Sequence, residues 1–175
     1  MRLRKISRDG SPRGSAHDTR VLALASGGGH WVQLVRMAPA WEGLDVAYAT
    51  TNVGYRSEVR NNAEDGARFY VIPDANRSRK LSLLWQAAST VVLVMRERPD
   101  VVVTTGASLG YFAMVMGKLF GARTIWIDSI ANAEEMSLSG RRAGRFADLW
   151  LTQWPELERE HSSGKRSPIF RGSVL

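Results

Sequence analysis

The amino-acid sequence predicts an α/β protein built on a single Rossmann-like, doubly wound parallel sheet. Three observations carry that expectation. Short apolar runs alternate with longer segments of helical period, the order taken by strands and helices when helices cover both faces of a parallel sheet. One run, "PDVVVTTG" (Pro99–Gly106), is all valine at its centre, as suits a strand buried on both faces. Two runs close on glycine just before a helical segment begins: "VLALASGGGHW" (Val21–Trp31) and "VVTTGASLGYF" (Val102–Phe112). With 175 residues, 44% of them hydrophobic, the chain has material for one core of ordinary size.

The elements follow in order. Residues 1–19 hold Arg2, Arg4, Lys5, Arg8 and Arg13 among Gly, Ser and Pro, with too few apolar side chains to pack, so they read as a disordered basic arm before a domain spanning 20–175. Two roles stay open for that arm: a solvated tail, or attraction to an acidic surface. No apolar stretch of the kind a secretory signal needs follows it. Strands are expected near 20–25, 45–50, 68–72, 100–105, 123–127 and 148–152, and helices near 31–40, 55–64, 80–97, 109–120, 139–146 and 155–161. Pro99 and Gly121 punctuate the ends of two of these helices. The closing "PIFRGSVL" reads equally as a last strand of the same sheet or as a segment that docks on a partner.

The helix "LSLLWQAASTVVLVM" (Leu81–Met95) is apolar around most of its circumference, broken only by a narrow stripe of Ser82, Gln86, Ser89 and Thr90. Its length falls short of the roughly 20 residues that cross a bilayer. The spacing of Leu81, Leu84, Trp85, Ala88, Val92 and Met95 predicts the face that packs on the sheet. Leu83, Ala87, Val91 and Val94 are then left over, either as further core or as a face for a membrane or a partner, with Arg77, Arg79 and Lys80 just ahead of them.

The glycine turns carry the chemistry. Glycine at the end of a strand lets the backbone approach a ligand, and the following helix aims unpaired N–H groups and its positive dipole end at the same space, which suits a phosphate or diphosphate. A dinucleotide fingerprint fits poorly: Gly27 and Gly29 supply its first two glycines, but the third position is Val32, and Thr50 and Thr51 stand where an acidic residue belongs. A nucleotide- or nicotinamide-binding oxidoreductase therefore ranks as a minor alternative. The sequence has no cysteine, and His17, His30 and His161 lie far apart, so neither a metal nor a redox cofactor is expected. Asp128, at the end of "IWID", faces the ligand crevice if the strand ends there, and is open to two roles: a base for an incoming hydroxyl, or a cap for the next helix. His30 is the second candidate base, with loop pinning or phosphate contact as its alternative.

"ALASGGGHW", "PDVVVTTGASLGYFAM", "GARTIWIDSIAN", "SLSGRRAGRFAD" and "TQWPEL" together resemble the bacterial, PssD-type relatives of the acceptor-binding, membrane-recruiting subunit of the two-part N-acetylglucosaminyltransferase of the dolichol pathway. More distantly they are similar to the N-terminal half of MurG. The resemblance covers about residues 20–175. It implies the acceptor half of a GT-B glycosyltransferase serving exopolysaccharide or capsule assembly, active only with a smaller partner that binds the nucleotide sugar. The acceptor would be a polyprenyl-diphosphate-linked saccharide. Its diphosphate would lie on Gly27, Gly28, Gly29 and His30 in one loop and Gly106, Ala107 and Ser108 in the other, with Thr105, Asn132 and Glu134 as further acceptor-site candidates. The implied location is the inner face of the plasma membrane, held peripherally, with Arg77, Arg79, Lys80, Leu83, Val91 and Val94 as the membrane or partner face. Nucleic acid is not an expected partner. A non-catalytic scaffold that recruits a glycosyltransferase to the membrane is the main alternative.

Overall fold

A computed structural model describes residues 19–62, 67–75, 80–160 and 166–174. Strands β1 (Arg20–Leu24), β2 (Asp45–Thr50), β3 (Arg68–Val71), β4 (Val101–Thr104), β5 (Arg123–Ile127), β6 (Leu149–Thr152) and β7 (Ile169–Phe170) form one sheet in the order β3-β2-β1-β4-β5-β6-β7. Every neighbouring pair runs parallel. The helices are α1 (Gly29–Arg36), α2 (Arg56–Asn62), α3 (Lys80–Glu97), α4 (Ala107–Leu119), α5 (Leu138–Ala143) and α6 (Pro155–Glu160). The expected Rossmann-like sheet is therefore present.

Alternation along the strands divides the core into two layers. Leu22 and Leu24 of β1 and Val102 of β4 pack with Leu109, Ala113 and Met114 of α4 and Leu93 and Val94 of α3. Val21, Ala23 and Val103 point the other way and pack with Trp31 and Leu34 of α1. On this second side Val21, Trp41, Val103, Ile125, Ile127 and Leu151 line an apolar cleft of about 580 Å³.

Local details depart from the sequence expectation. The segment 31–40 is two pieces, α1 and a 3-10 turn over Ala38–Trp41 with proline in its first positions. Pro39 lacks the N–H that a continued helix would need. The segment 55–64 opens as a 3-10 turn over Val53–Tyr55, where the Asn52 side chain accepts from the Gly54 amide at 2.9 Å, before α2 begins. The closing "PIFRGSVL" contributes β7 to the chain's own sheet, and the Val174 amide donates to Gln153 Oε1 at 2.7 Å, so this tail is folded onto its own domain.

Helix α3 is turned relative to expectation. Leu81 (82% exposed), Leu84 (66%), Trp85 (66%), Val92 (63%) and Met95 (52%) face solvent, whereas Gln86, Thr90, Leu93, Val94 and Glu97 are buried. Of the expected membrane or partner face, Val94 is core, Leu83 and Val91 are half-buried, and Lys80 is exposed; Arg77 and Arg79 lie outside the described residues. The polar side chains point inward because each finds a partner there. Thr90 Oγ1 donates to the Gln86 carbonyl at 2.7 Å. The Glu97 carboxylate receives Arg68 Nε at 2.8 Å and the Tyr70 hydroxyl at 2.7 Å. Burial, and then that bond to Glu97, raises the Tyr70 hydroxyl above its ordinary range and keeps it a donor. Among the described residues no helix is long and apolar enough to cross a membrane. The expected basic arm, residues 1–19, lies almost wholly outside the described residues.

Candidate functional site

The sheet order reverses between β1 and β4, which are neighbours although α1, β2, α2, β3 and α3 lie between them in the chain. Open α/β sheets bind ligands at such a switch point, outside the carboxyl ends of the strands. Both glycine turns lie there, one after β1 and one after β4, and their helices leave toward opposite faces: α1 into the Trp31 layer, α4 into the Leu109 layer.

The two turns share a backbone form. Gly28 precedes α1 with φ 75° and ψ −141°, and Gly106 precedes α4 with φ 134° and ψ −160°. Neither helix start has a side-chain cap. First-turn amides have no carbonyl partner within a helix, so both starts present N–H donors and positive dipole ends to the crevice. Ala107, next in the chain, holds φ 65°, a left-handed conformation rare for a residue with a Cβ.

A reciprocal pair of bonds clamps the turns together. His30 Nδ1 lies 2.8 Å from the Thr105 carbonyl, and Thr105 Oγ1 donates to the His30 carbonyl at 2.7 Å. Since a carbonyl oxygen only accepts, Nδ1 carries the proton, and in the neutral ring Nε2 keeps its lone pair. The ring also packs on Gly106, where an added Cβ would come within 2.7 Å of His30 Cε1. Gly106→Ala is accordingly expected to destabilise the fold by about 1–3 kcal/mol and to push the imidazole off Thr105. Thermal unfolding and the His30 ring signals in NMR would report both effects.

The individual loop residues are disposed differently from what the sequence led one to expect. The Gly27 amide donates to Thr51 Oγ1 at 3.2 Å and the Gly28 amide to the Tyr55 hydroxyl at 3.0 Å, so both are spent within the chain. Thr51 and Tyr55 each accept one of these bonds and retain a hydroxyl proton to donate. Tyr55 is fixed by stacking on Trp31, ring centroids 5.0 Å apart. Gly29 remains exposed at the start of α1. In the second turn, Ser108 Oγ donates to Gln86 Oε1 at 2.6 Å, which leaves Ser108 its backbone amide and hydroxyl lone pairs. The Thr105 hydroxyl proton is committed to His30.

Asp128 sits at the end of β5 and is 1% exposed. Its Oδ1 accepts from Trp126 Nε1 at 3.0 Å and Ser137 Oγ at 2.7 Å; its Oδ2 accepts from Asn132 Nδ2 and the Ser137 amide, each at 3.0 Å. A carboxylate has about four acceptor directions, and all are filled. No lone pair is left for an incoming hydroxyl. Of the two roles open to Asp128, the geometry matches the capping one in indirect form: it holds Ser137, which itself caps α5 by accepting from the Gly140 amide at 2.9 Å. Asn132 serves that cradle, and Glu134 is exposed.

An amide network absent from the sequence reading ties these parts together. Gln33 Nε2 donates to Ser129 Oγ at 3.2 Å, and Gln33 Oε1 accepts from the Ile130 amide at 3.2 Å and Gln153 Nε2 at 2.6 Å. Its members are separated by up to 120 residues, so no local spacing advertises them. Thr51 and Tyr55 had a weak signal, since "TTNVGY" follows the strand beside β1.

A parallel sheet with this order, carrying two glycine-led helix starts at its switch point, defines the class: a Rossmann-like, doubly wound domain. Solved structures with the same fold include MurG of Acinetobacter baumannii, with TM-score 0.61 and 17% identity over 78% of this chain and 42% of that one. A Staphylococcus aureus structure described as an MnaA–UDP co-structure gives TM-score 0.66 and 12% identity, over 89% of this chain and 45% of that one. This chain thus spans less than half the length of the solved chains it matches. It belongs to the family described as "Oligosaccharide biosynthesis protein Alg14 like", whose model matches residues 21–169. Its relatives include "UDP-N-acetylglucosamine transferase subunit ALG14" of Eremothecium gossypii, 29% identical over 88% of this chain and 80% of that protein. The human protein of the same name is 24% identical over 97% of this chain and 88% of its own length.

Proposed function

We propose that this chain is the acceptor-binding subunit of a two-component glycosyltransferase, which adds a sugar from a nucleotide-sugar donor to a polyprenyl-diphosphate-linked saccharide in exopolysaccharide or capsule assembly. The domain would comprise residues 20–175, as expected from the sequence, with the basic arm ahead of it. The observation that carries this reading is the clamp between His30 and Thr105, which joins two uncapped helix starts into one donor-lined crevice. Two such starts suit a ligand with two adjacent phosphates. Gly29, the α1 amides after it, and Ala107 and Ser108 would meet the diphosphate, with the Thr51 and Tyr55 hydroxyls standing in for the spent amides of Gly27 and Gly28; the Gly106 amide is likewise spent, donating to Thr104 Oγ1 at 3.2 Å.

Transfer forms a bond from the acceptor hydroxyl oxygen to the donor's anomeric carbon, breaks the bond from that carbon to the nucleotide diphosphate, and releases one proton. His30 Nε2 is the base the geometry leaves for that proton, because the Asp128 carboxylate is saturated. The donor pocket would come from a smaller, nucleotide-sugar-binding partner, in keeping with the word "subunit" in the relatives' names. The apolar cleft beside Trp41 is a surface such a partner would cover.

The membrane contact would be the outer stripe of α3, Leu81, Leu84, Trp85, Ala88, Val92 and Met95, with Lys80 at its start, lying in the interface on the cytoplasmic face. Replacing two exposed side chains, Leu84→Asp with Trp85→Asp, is expected to weaken co-sedimentation with phosphatidylglycerol vesicles by about a hundredfold or more while leaving the fold intact. The functional test is sugar transfer to a polyprenyl-diphosphate acceptor, with and without a nucleotide-sugar-binding partner subunit. Transfer only by the mixture supports the proposal. Transfer by the partner alone at the full rate would leave this chain a scaffold.

A further inference from the structure

Helix α3 combines an exposed apolar stripe with a buried glutamine on its opposite side. Gln86 is 2% exposed, and its amide is bonded at both ends: Nε2 donates to the Pro73 carbonyl at 3.0 Å, while Oε1 accepts from Ser108 Oγ at 2.6 Å. Pro73 lies in the segment after β3, and Ser108 is the second residue of α4. One side chain therefore joins three parts of the chain beneath the second glycine turn. That turn carries the strained Ala107 backbone, φ 65°, directly beside Ser108. A left-handed alanine persists only where its surroundings over-determine it. Ser108 has one hydroxyl proton, and Gln86 is where it goes.

We propose that Gln86 is a positioning residue for the diphosphate-binding turn: by accepting the Ser108 hydroxyl, it holds the first turn of α4 so that its amides face the switch-point crevice. The inference rests on the acceptor-site reading above and adds a residue outside the crevice that sets its affinity. With an apolar side chain of the same length at position 86, the Ser108 hydroxyl has no fixed acceptor, the Ala107 backbone can relax toward the right-handed region, and the amides of 107–109 lose their common direction. The inference also gives the polar stripe of α3 a purpose: the side opposite the exposed apolar residues is tied to the turn that grips the head of the ligand.

The test uses the full chain assembled with its nucleotide-sugar partner, with inorganic pyrophosphate as a competitive probe and the lipid acceptor as substrate. Gln86→Met is expected to raise both the pyrophosphate inhibition constant and the acceptor KM about tenfold, the size of one lost positioned hydrogen bond, with kcat changed by less than about threefold. Ser108→Ala removes the same bond from the other end and should reproduce the split. In the Ser108→Ala background, Gln86→Met should add little, because the two act as one unit. A filler role for Gln86 instead predicts a lower melting temperature with unchanged KM, or equal losses in both backgrounds, and either result overturns the proposal. Should Gln86→Met fail to fold, an unchanged KM in Ser108→Ala overturns it alone. Absence of pyrophosphate inhibition in the unmodified complex would instead remove the acceptor-site reading itself, and this inference with it.

Discussion

Replacing His30 with asparagine is expected to lower kcat for sugar transfer by about 10²–10⁴-fold, the usual worth of a positioned general base, with a much smaller change in acceptor KM. Asparagine is the informative choice because its side-chain N–H2 reaches the place of Nδ1 and can still donate to the Thr105 carbonyl, 2.8 Å from that nitrogen in the unmodified protein. The Thr105 hydroxyl bond to the position-30 carbonyl is also kept, since it involves only backbone. The clamp is thus preserved while the Nε2 lone pair is removed. Among the described residues Nε2 has no hydrogen-bond partner, so its loss breaks no bond there. Steady-state kinetics of the two-subunit enzyme separate the alternatives. A fall in kcat at constant KM identifies a proton acceptor. A rise in KM at constant kcat makes His30 a phosphate contact, and no change at all leaves it a pin between loops.

The sheet and its two turns were legible in the sequence because their determinants are local. The alternation of short apolar runs with segments of helical period, the valine run of β4 and glycine at two strand ends need no knowledge of distant residues. The orientation of α3 was not legible, for a definite physical reason. Counting apolar residues at helical spacing assumes that polar side chains seek water, yet the buried Gln86 and Glu97 find partners at Pro73, Ser108, Arg68 and Tyr70, which only the folded chain brings near. Leu81, Leu84 and Trp85 are consequently left outside. Site residues divide in the same way. Thr105 and His30 were readable as turn residues, but their mutual bonds span 75 residues of chain. The donors around Asp128, by contrast, all lie within nine residues of it, and a sequence alone leaves undecided whether they or a substrate would occupy the carboxylate.

Asp128 offers the sharpest separation of chemistry from scaffolding. Asp128→Ala would strand Trp126 Nε1, the Ser137 amide, the Ser137 hydroxyl and Asn132 Nδ2 around a buried void, and the expected loss of stability is about 3–5 kcal/mol. Asp128→Asn keeps the shape but exchanges one acceptor oxygen for a donor. Placed toward Oδ2, the new N–H2 meets the Ser137 amide; placed toward Oδ1, it meets the Trp126 ring N–H. Neither of those donors can turn around, whereas the Ser137 hydroxyl and the Asn132 amide can. One mismatch therefore survives in either orientation, and asparagine should fall between alanine and the unmodified protein, at a cost of about 1–2 kcal/mol. Urea unfolding of the three forms measures this series, because each midpoint shifts at constant slope when only stability changes. A base at position 128 predicts the reverse pattern: a stable Asp128→Asn protein that is as inactive as Asp128→Ala at every temperature. A scaffold predicts that activity follows the folded fraction, so the Asp128→Asn enzyme, assayed well below its melting temperature, should transfer sugar at close to the unmodified rate.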